Sequence, residues 1–529
     1  MSGVEIPSAA AKSKPNPWLI AVVVALAAFM EILDTSIANV ALPYMAGNLG
    51  VSNDESTWVL TSYLVSNAII LPISGWLAGV VGRKRFFMSC IAFFTLSSLL
   101  CGIAPSLGFL LLCRVLQGLG GGGLQPMAQA ILADTFPPQQ RGVAFGLYGI
   151  TAVIAPTAGP TLGGWITYNY SWRWIFFINL PVGLLTLWLV FRLIDDPSYL
   201  SRLKGAGVRL DYIGIALLIV GIGALQVMLD RGQIDDWFQS RFILSLAVIA
   251  GAGLLSLFIW EWFEKDPIIE VRLFKNLNFL ETNVMMFLLG AVLFSSLVMI
   301  PQFLQTLLGY TAELAGLVLS IGALLLLVEM PIVGQLTSKV QARYLIAFGW
   351  LCMALAMFYA TSQLSLIINF GTAARIRVVQ SIGLGFLFVP ITLAAYVGIP
   401  VEKSNMVSGL VNFMRNIGSS VGTSMVTTMI ARRAQYHQAV LIENITPQNP
   451  TFLDAVNGIT GRLAQSGLNF SDAERAAHAR LYSVAQNQAA TLAYIDTFWI
   501  LAVTSAIMFV LSFALKKNEP GKGGETAAA

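Results

Sequence analysis

Charged side chains are scarce in this sequence. Only 11% of its 529 residues are Asp, Glu, Lys or Arg, whereas 56% are hydrophobic, and the mean hydropathy is +0.74. Water-soluble domains carry about 25% charged residues. The composition therefore excludes a soluble globular protein and indicates a polytopic membrane protein. The net charge of +4 is small and does not favour nucleic acid as a partner.

Cysteine, histidine and the common enzyme motifs are also rare. The four cysteines lie in apolar runs without metal or disulfide spacing, and the only two histidines, His437 and His478, lie in one polar segment. Residues 118–123 and 418–422 match glycine patterns of dinucleotide sites and hydrolases, but both lie inside apolar runs. No phosphate-binding loop is present either. We therefore expect no enzyme activity, no metal site, no cofactor and no use of ATP.

Long apolar runs fill most of the chain. Each is close to the roughly 20 residues that a helix needs to cross the hydrocarbon core of a bilayer. We expect fourteen spans, near 18–41, 57–80, 86–104, 109–132, 143–166, 174–193, 211–229, 241–262, 279–303, 313–336, 343–361, 374–399, 405–430 and 490–515. The sequence thus predicts an all-α membrane protein.

Basic residues indicate the orientation of these spans. An even number of spans places both termini on one side of the membrane. Arginine and lysine collect in alternate short loops, as at 83–85 and at Arg202, Lys204 and Arg209. Because cytoplasmic loops carry the excess of basic residues, we expect both termini in the cytoplasm.

The first apolar run contains two acids. Glu31 and Asp34 are three residues apart, on neighbouring positions of one helical face. A carboxylate at this depth is costly and needs a reason. One interpretation is a buried helix start with a capping Asp. We favour a proton- or ligand-binding site, because apolar surroundings favour the neutral form of a carboxyl and let it exchange protons near neutral pH.

The chain repeats itself. Pro72-Ile-Ser-Gly-Trp-Leu77 returns as Pro331-Ile-Val-Gly-Gln-Leu336, and Arg114-Val-Leu-Gln117 returns as Arg377-Val-Val-Gln380, at offsets of 259 and 263 residues. Spans 1–6 and 9–14 therefore form two parallel six-helix repeats, with spans 7 and 8 inserted between them. Parallel halves of this kind are typical of transporters whose working site lies between the halves, near the middle of the membrane.

Two segments outside the spans are distinctive. Residues 263–278 mix apolar and charged side chains, and we expect a helix lying on the cytoplasmic surface. Residues 432–489 form a polar outer loop, in which Ser471-Asp-Ala-Glu474 has the capping-box pattern of a helix start. A loop of this length is usually functional. It is either a docking surface for a partner or a lid over the outer mouth of the protein.

Five stretches carry a family resemblance that covers nearly the whole chain. They are L-D-T-S-I-A-N-V-A-L-P (33–43), R-V-L-Q-G (114–118), A-P-T-A-G-P-T-L-G-G (155–164), W-R-W-I-F-F-I-N-L-P (172–181) and N-F-M-R-N-I-G-S-S-V-G-T-S (412–424). With these stretches the sequence resembles the fourteen-span drug:proton antiporters of the major facilitator superfamily, and among them the EmrB-type multidrug efflux permeases of Gram-negative bacteria. The resemblance implies the major facilitator fold and a location in the bacterial inner membrane.

The resemblance also implies a function. It predicts a proton-coupled exporter of amphipathic drugs and other toxic compounds, driven by the proton gradient and conferring antibiotic resistance. It implies two partners, a periplasmic membrane-fusion adaptor and, through it, an outer-membrane channel. The alternative is an exporter of one dedicated metabolite, siderophore or lipid. A non-transporting receptor or scaffold is disfavoured, because a scaffold has no use for buried acids.

The candidate site residues follow from these motifs. Asp34 is the candidate proton carrier, and Glu31 is an auxiliary or cargo-contacting acid. Arg114, inside span four, either acts beside this site, as the resemblance implies, or forms a fixed ion pair that locks helices together. The further candidates for the substrate cavity or for coupling are Glu329, Asn412, Arg415 and Asp496.

Two of these acids have alternatives. Asp496 opens span fourteen, where a cap at the membrane interface is the other interpretation. Glu329 lies in span ten, and we expect it to face the cavity or to be protonated.

A glycine- and proline-rich segment in span five permits close helix contact and a bend. Simple packing is one interpretation of it. In the family that the chain resembles, this segment marks exporters and closes the interface between the halves, and a cytoplasmic loop contributes a second motif. The residues of these two conformational motifs are Gly159, Pro160, Gly163, Gly164, Gly82 and Arg83.

These predictions divide the chain into five parts. They are a cytoplasmic tail (1–17), an N-terminal six-helix bundle (18–194), two inserted helices with their loops (195–278), a C-terminal six-helix bundle that includes the periplasmic loop 431–489 (279–515), and a second cytoplasmic tail (516–529).

Overall fold

The computed structural model describes residues 16–197, 211–443, 445–446 and 448–517. Most of both predicted tails, and the basic residues Arg202, Lys204 and Arg209, lie outside these ranges. Regular structure in the described residues is entirely helical. Helices are expected of such apolar segments, because a helix pairs its own backbone N–H and C=O groups where no water is available.

The helices fall into an N-terminal half, an inserted pair and a C-terminal half. The N-terminal half contains α1 (Pro17–Leu49), α2 (Asn53–Ser56), α3 (Trp58–Val81), α4 (Arg83–Gly102), α5 (Leu107–Gly121), α6 (Leu124–Thr135), α7 (Pro138–Asn169), α8 (Trp174–Phe177) and α9 (Asn179–Leu193). The inserted pair is α10 (Tyr212–Arg231) and α11 (Arg241–Phe263). The C-terminal half contains α12 (Leu277–Thr306), α13 (Ala312–Leu336), α14 (Ala342–Gln363), α15 (Phe370–Ala394), α16 (Ser404–Ile442), α17 (Pro450–Gln465) and α18 (Phe470–Leu511).

Fourteen helical stretches of the described residues match the predicted spans. Thirteen of them are both long and apolar enough to cross a membrane. The fourteenth is α16, which has 39 residues but contains polar side chains such as Asn412 and Arg415. It nevertheless packs among α3, α12 and α18, so its polar residues are sheltered by protein.

The two halves have the same internal arrangement. In the N-terminal half the first span, α1, packs on the fifth, α7; in the C-terminal half the equivalent helices, α12 and α16, pack on each other in the same way. The third and fourth spans also pair in both halves, as α4 with α5 and as α14 with α15. The predicted six-helix repeats are therefore confirmed.

The halves meet through two equivalent contacts, in which the second span of each half packs on the fifth span of the other: α3 on α16 and α13 on α7. A Cβ at Gly75 of α3 would lie 2.7 Å from the backbone of Asn405, and one at Gly146 of α7 would lie 2.8 Å from the carbonyl oxygen of Met330. Only glycine allows backbones to approach so closely. These contacts hold the halves together at the end of the bundle where α1 begins.

The inserted helices lie beside one of these interfaces. Helix α10 packs on α11 and contacts both α3 and α16. Arg231 of α10 donates to Asp54 at 2.9 Å, and Thr61 of α3 donates to Asp230. On the other side, Gln226 Nε2 donates to Ser420 Oγ at 2.9 Å. The insertion thus bridges the N-terminal and C-terminal halves.

The predicted surface helix at 263–278 is wrong. This segment contains only a short 3-10 turn, Val271–Lys275. The chain is tied instead to the end of α11, because the Ile269 amide donates to Glu261 Oε2 at 3.3 Å and Arg272 Nε donates to the Trp262 carbonyl at 3.2 Å. These bonds replace the helical pattern that the amphipathic sequence suggested.

The outer segment at 431–489 is mostly helical rather than a loop. Helix α16 continues through its first part, α17 packs on α18, and α18 begins far ahead of the apolar run that it joins. The predicted helix start at Ser471 is close to the observed one, but the capping residue is Asn469, whose side chain accepts from the Asp472 amide at 2.9 Å. Asn469 lies two residues earlier because its amide side chain is also a good helix cap.

Candidate functional site

Asp34 lies on α1 at the centre of the N-terminal half, fully enclosed by protein. Its carboxylate accepts from Arg114 Nη1 at 2.6 Å, from Gln117 Nε2 at 2.9 Å and from Asn179 Nδ2 at 2.7 Å. The side chains of Asp34 and Arg114 are both completely inaccessible to solvent. The donors come from the fourth and sixth spans, so the hydrogen bonds to Asp34 join three helices of one half.

The Arg114 guanidinium is held on several sides. Its Nε donates to the Val59 carbonyl at 3.1 Å and its Nη1 also donates to Gln117 Oε1 at 2.8 Å. The guanidinium carbon lies 4.4 Å from the ring centre of Tyr63 and 5.6 Å from that of Phe176. Aromatic faces attract a desolvated cation, so Arg114 is fixed in place by hydrogen bonds, an ion pair and two rings.

Glu31 lies one turn away on α1, and its surroundings differ from those of Asp34. Its Oε1 accepts from the Tyr63 hydroxyl and from Asn67 Nδ2, both at 3.0 Å. Its Oε2 accepts from Gln125 Nε2 at 2.5 Å. All three direct partners are neutral, so the Glu31 carboxyl has no ion-pair partner in contact with it among the described residues.

Gln125 joins Glu31 to the other half of the molecule. Its Oε1 accepts from Arg415 Nη2 of α16 and from the Tyr148 hydroxyl, the latter at 3.2 Å. Arg415 is itself buried, with its guanidinium carbon 5.5 Å from the ring centre of Phe388. A single amide therefore connects an acid of the N-terminal half with a cation of the C-terminal half.

A second amide contact lies one turn further along α6. Asn412 Nδ2 donates to Gln129 Oε1 at 2.8 Å, and Gln129 Nε2 donates to Asn412 Oδ1 at 3.3 Å. Both side chains are buried. Gln125 and Gln129, four residues apart on one face of α6, thus both bond to α16 across the boundary between the halves.

Several residues of this network were not among the sequence candidates. The motifs contain Gln117 and Asn179, but gave no reason to assign them to Asp34. A weak signal existed for Gln125 and Gln129: two amides one turn apart in an apolar span need partners. Tyr63 and Asn67, also four residues apart, gave the same signal in span two.

Glu329 and Asp496 lie apart from this network. Glu329 on α13 packs against α15, since a Cβ at Gly385 would lie 2.7 Å from its carboxyl group, and neither carboxyl oxygen has a hydrogen-bond partner among the described residues. Asp496 does not open a helix, because α18 begins at Phe470. Its carboxylate accepts from Arg433 Nε at 2.6 Å and contacts His437 Nε2 at 2.7 Å, both on α16.

The glycines of α7 make contacts within their own half. A Cβ at Gly159 would overlap Ser36 of α1, and one at Gly163 would lie 3.0 Å from Ile37, whereas one at Gly164 would have no atom closer than 3.9 Å. The Ser36 hydroxyl donates to the Pro156 carbonyl at 2.8 Å. This bond satisfies a carbonyl that has no helical donor, because Pro160 lacks a backbone N–H. This segment therefore positions α1, the helix of the two acids.

The remaining motif residues lie at the turn between α3 and α4. Gly82 has φ of 99°, a conformation that favours glycine. Arg83 is buried and its Nη1 donates to Asp134 Oδ2 of α6 at 2.6 Å. In the described part of the chain, no three or more His, Cys, Asp or Glu side chains are grouped so that they could hold a metal ion.

Comparison with known proteins agrees with this architecture. Residues 24–423 match the model of the Major Facilitator Superfamily. The chain is 37% identical to the multidrug export protein EmrB of Escherichia coli (strain K12), over 82% of this chain and 84% of that protein. It is also 37% identical to the fatty acid resistance protein FarB of Neisseria gonorrhoeae, over 84% and 86% of the two chains.

A solved structure supports the fold. The proton:xylose symporter XylE superimposes with a TM-score of 0.59 at 14% identity, over 96% of this chain and 97% of that one. The family match covers most of the chain and the similarity to EmrB extends over four fifths of it. This multi-pass membrane protein therefore belongs to the major facilitator superfamily, among the relatives of the EmrB multidrug export proteins.

Proposed function

We propose that the protein is a multidrug efflux transporter that exports amphipathic compounds in exchange for protons. The observation that carries this proposal is the pair of buried acids on α1, Glu31 and Asp34, bonded to Arg114 on one side and, through Gln125, to the opposite half on the other. The names of its relatives, multidrug export and fatty acid resistance proteins, support amphipathic cargo. The proton gradient supplies the energy, and no enzyme activity or cofactor is involved.

Protons and cargo compete for the acid pair in this mechanism. Asp34 carries the proton, and the neighbouring Arg114 cation stabilises its charged form after the proton leaves. Cargo that binds near the acids favours their deprotonation, and a proton arriving from outside displaces cargo. Exchange follows because the transporter switches between its inward-facing and outward-facing states only when a proton or a cargo molecule occupies the site.

Gln125 transmits the state of Glu31 to the interface. Its amide now donates to Glu31 and accepts from Arg415. A protonated Glu31 instead offers an O–H donor, which needs an acceptor. When the Gln125 amide flips, its oxygen turns toward Glu31 and accepts from that O–H. The turned amide presents its NH2 group to Arg415, which has only donors. The Gln125–Arg415 bond between the halves is then lost. Its loss favours separation of the halves at the end where α1 begins, which lets the acid pair release protons to the cytoplasm.

The protein lies in the bacterial inner membrane with both termini in the cytoplasm. The basic residues of the turn after α3 support this orientation by the positive-inside rule. The halves touch at the cytoplasmic end, at Gly75 and Gly146, so the described state is closed toward the cytoplasm.

A periplasmic adaptor and, through it, an outer-membrane channel carry the cargo onward. The exposed rings of Tyr436, Phe470 and Tyr482 in the helical segment at 432–489 support a docking role. The other role for this segment is a lid over the transporter's outer mouth. Deletion of residues 447–471 distinguishes the two roles.

If the segment docks the adaptor, the deleted protein still transports in proteoliposomes, but adaptor co-purification and cellular resistance are lost. Unchanged adaptor binding after the deletion would remove the docking role and favour the lid. Intact gel-filtration behaviour of the deleted protein is the control for folding.

Cargo range is tested on cells with and without the protein, using a panel of toxic amphipathic compounds. We expect the protein to raise tolerance to several chemically unrelated compounds. Tolerance that changes for none of them would instead support export of one dedicated metabolite, siderophore or lipid.

A further inference from the structure

The C-terminal half contains a buried arginine without an acidic partner. Arg377 on α15 is 0% exposed. Its Nη1 donates to Gln380 Oε1 at 3.3 Å, whereas its Nε and Nη2 have no hydrogen-bond partner among the residues that the structure describes. An unpaired charge in an apolar interior is strongly unfavourable. A matching anion would remove this cost.

The N-terminal half indicates which anion would fit. Arg377 and Gln380 occupy the same places in the repeat as Arg114 and Gln117, and in both pairs the arginine Nη1 donates to the glutamine Oε1. In the N-terminal half, these two side chains converge on the carboxylate of Asp34, at 2.6 and 2.9 Å. The same two donors are thus seen binding a carboxylate elsewhere in this molecule.

The C-terminal half has no acid at the place of Asp34. Asp34 precedes Pro43 of α1 by nine residues, and the residue nine before the equivalent Pro301 of α12 is the buried Val292. Gln380 Nε2 is left with a weak contact to a methionine sulfur at 3.7 Å. The C-terminal half therefore has the same two donors as the N-terminal half, but an apolar side chain at the place of their acceptor.

We propose that Arg377 and Gln380 form an anion site that binds the carboxylate of an amphipathic molecule or a small monovalent anion. The two sources share one negative charge and the ability to accept several hydrogen bonds. Ile376, next to Arg377 in sequence, lines a small apolar pocket together with Ile300, Phe303 and Phe498.

Thermal unfolding of the purified full-length protein in nonionic detergent tests this site. Decanoate should raise the Tm by a few degrees, while decanol, with the same chain length and no charge, should not. Arg377→Gln should abolish the shift. The matched control is Arg375→Gln, which changes an exposed arginine of the same helix and should keep it.

The arms of the experiment separate the two sources. If chloride in place of gluconate raises the Tm of the wild type but not of Arg377→Gln, and decanoate adds nothing, the site takes small anions. No shift with either probe, or an undiminished shift in Arg377→Gln, would overturn the proposal. Because binding is measured without a proton gradient, these outcomes are independent of whether the protein exports drugs.

A second variant supplies the missing acid. Val292→Asp should raise the Tm and abolish the decanoate response, since the new carboxylate would pair with Arg377 as Asp34 pairs with Arg114. In the Arg377→Gln background the same change should lower the Tm, because an unpaired acid is then buried. Equal destabilisation in both backgrounds would contradict the proposed geometry.

Discussion

At the level of single residues, the two acids of α1 differ in what surrounds them. Asp34 is paired with a buried cation and two amides of its own half. Glu31 is bonded only to neutral groups, one of which reaches the other half. Asp34 is thus suited to exchange a proton beside a fixed cation, whereas Glu31 is suited to couple its own protonation to the contact between the halves.

Replacing Gln125 by methionine tests whether this amide couples protonation of Glu31 to the contact between the halves. Methionine keeps the length of the side chain but can neither donate to Glu31 nor accept from Arg415. We expect gradient-driven transport to fall by about tenfold or more, equivalent to ~1.4 kcal/mol, and its pH dependence to flatten. Initial rates of dye uptake into proteoliposomes at a series of pH values measure both effects.

Gln129→Met is the control for this variant. Gln129 bonds to Asn412 across the same interface but touches neither acid. Its loss should weaken closure of the halves while leaving the shape of the pH profile unchanged. A wild-type pH profile for Gln125→Met would show that Gln125 does not couple Glu31 to the interface.

At the level of helices, the glycine-rich segment of α7 positions α1. We expect Gly159→Ala to lower the Tm and reduce transport, because its Cβ would overlap Ser36 and overpacking of this kind typically costs about 1–3 kcal/mol. Gly164→Ala, in the same segment, has room for a methyl group and should behave like the wild type. Fluorescence-detected unfolding compares the two variants, and equal Tm values would contradict this role for Gly159.

The helices also show where sequence patterns were sufficient. Apolar length located the spans, and the repeated R-V-x-Q and P-I-x-G stretches predicted equivalent halves. Amphipathicity failed at 263–278, because Glu261 accepts from the Ile269 amide and Arg272 donates to the Trp262 carbonyl, and no local pattern reveals these contacts. Polarity alone similarly suggested a loop at 432–489, where α17 packs on α18 and Val456, Ala473 and Ala477 are buried.

At the level of the whole molecule, the motifs identified the acids and Arg114 but not how the halves communicate. Gln125 and Arg415 are 290 positions apart in sequence, and only the packing of α6 on α16 brings them together. Asp496 is not the helix cap that one interpretation proposed, for a related reason. Its partners, Arg433 and His437, lie on the extended end of another helix, beyond the predicted boundary of that span.

The most direct measurement concerns Asp34 as the proton carrier. Asp34→Asn leaves Arg114 buried without a counterion, and losing one partner of a buried pair costs about 3–5 kcal/mol. The double variant Asp34→Asn/Arg114→Gln removes both charges and should restore stability. Both proteins must first elute as folded monodisperse species in gel filtration.

Each variant is then reconstituted into proteoliposomes, and dye uptake is recorded after a pH gradient is imposed. We predict that neither Asp34→Asn nor the double variant accumulates dye above the level seen without a gradient, whereas the wild type does. If folded Asp34→Asn accumulated dye at the wild-type rate, Asp34 could not be the residue that couples protons to export.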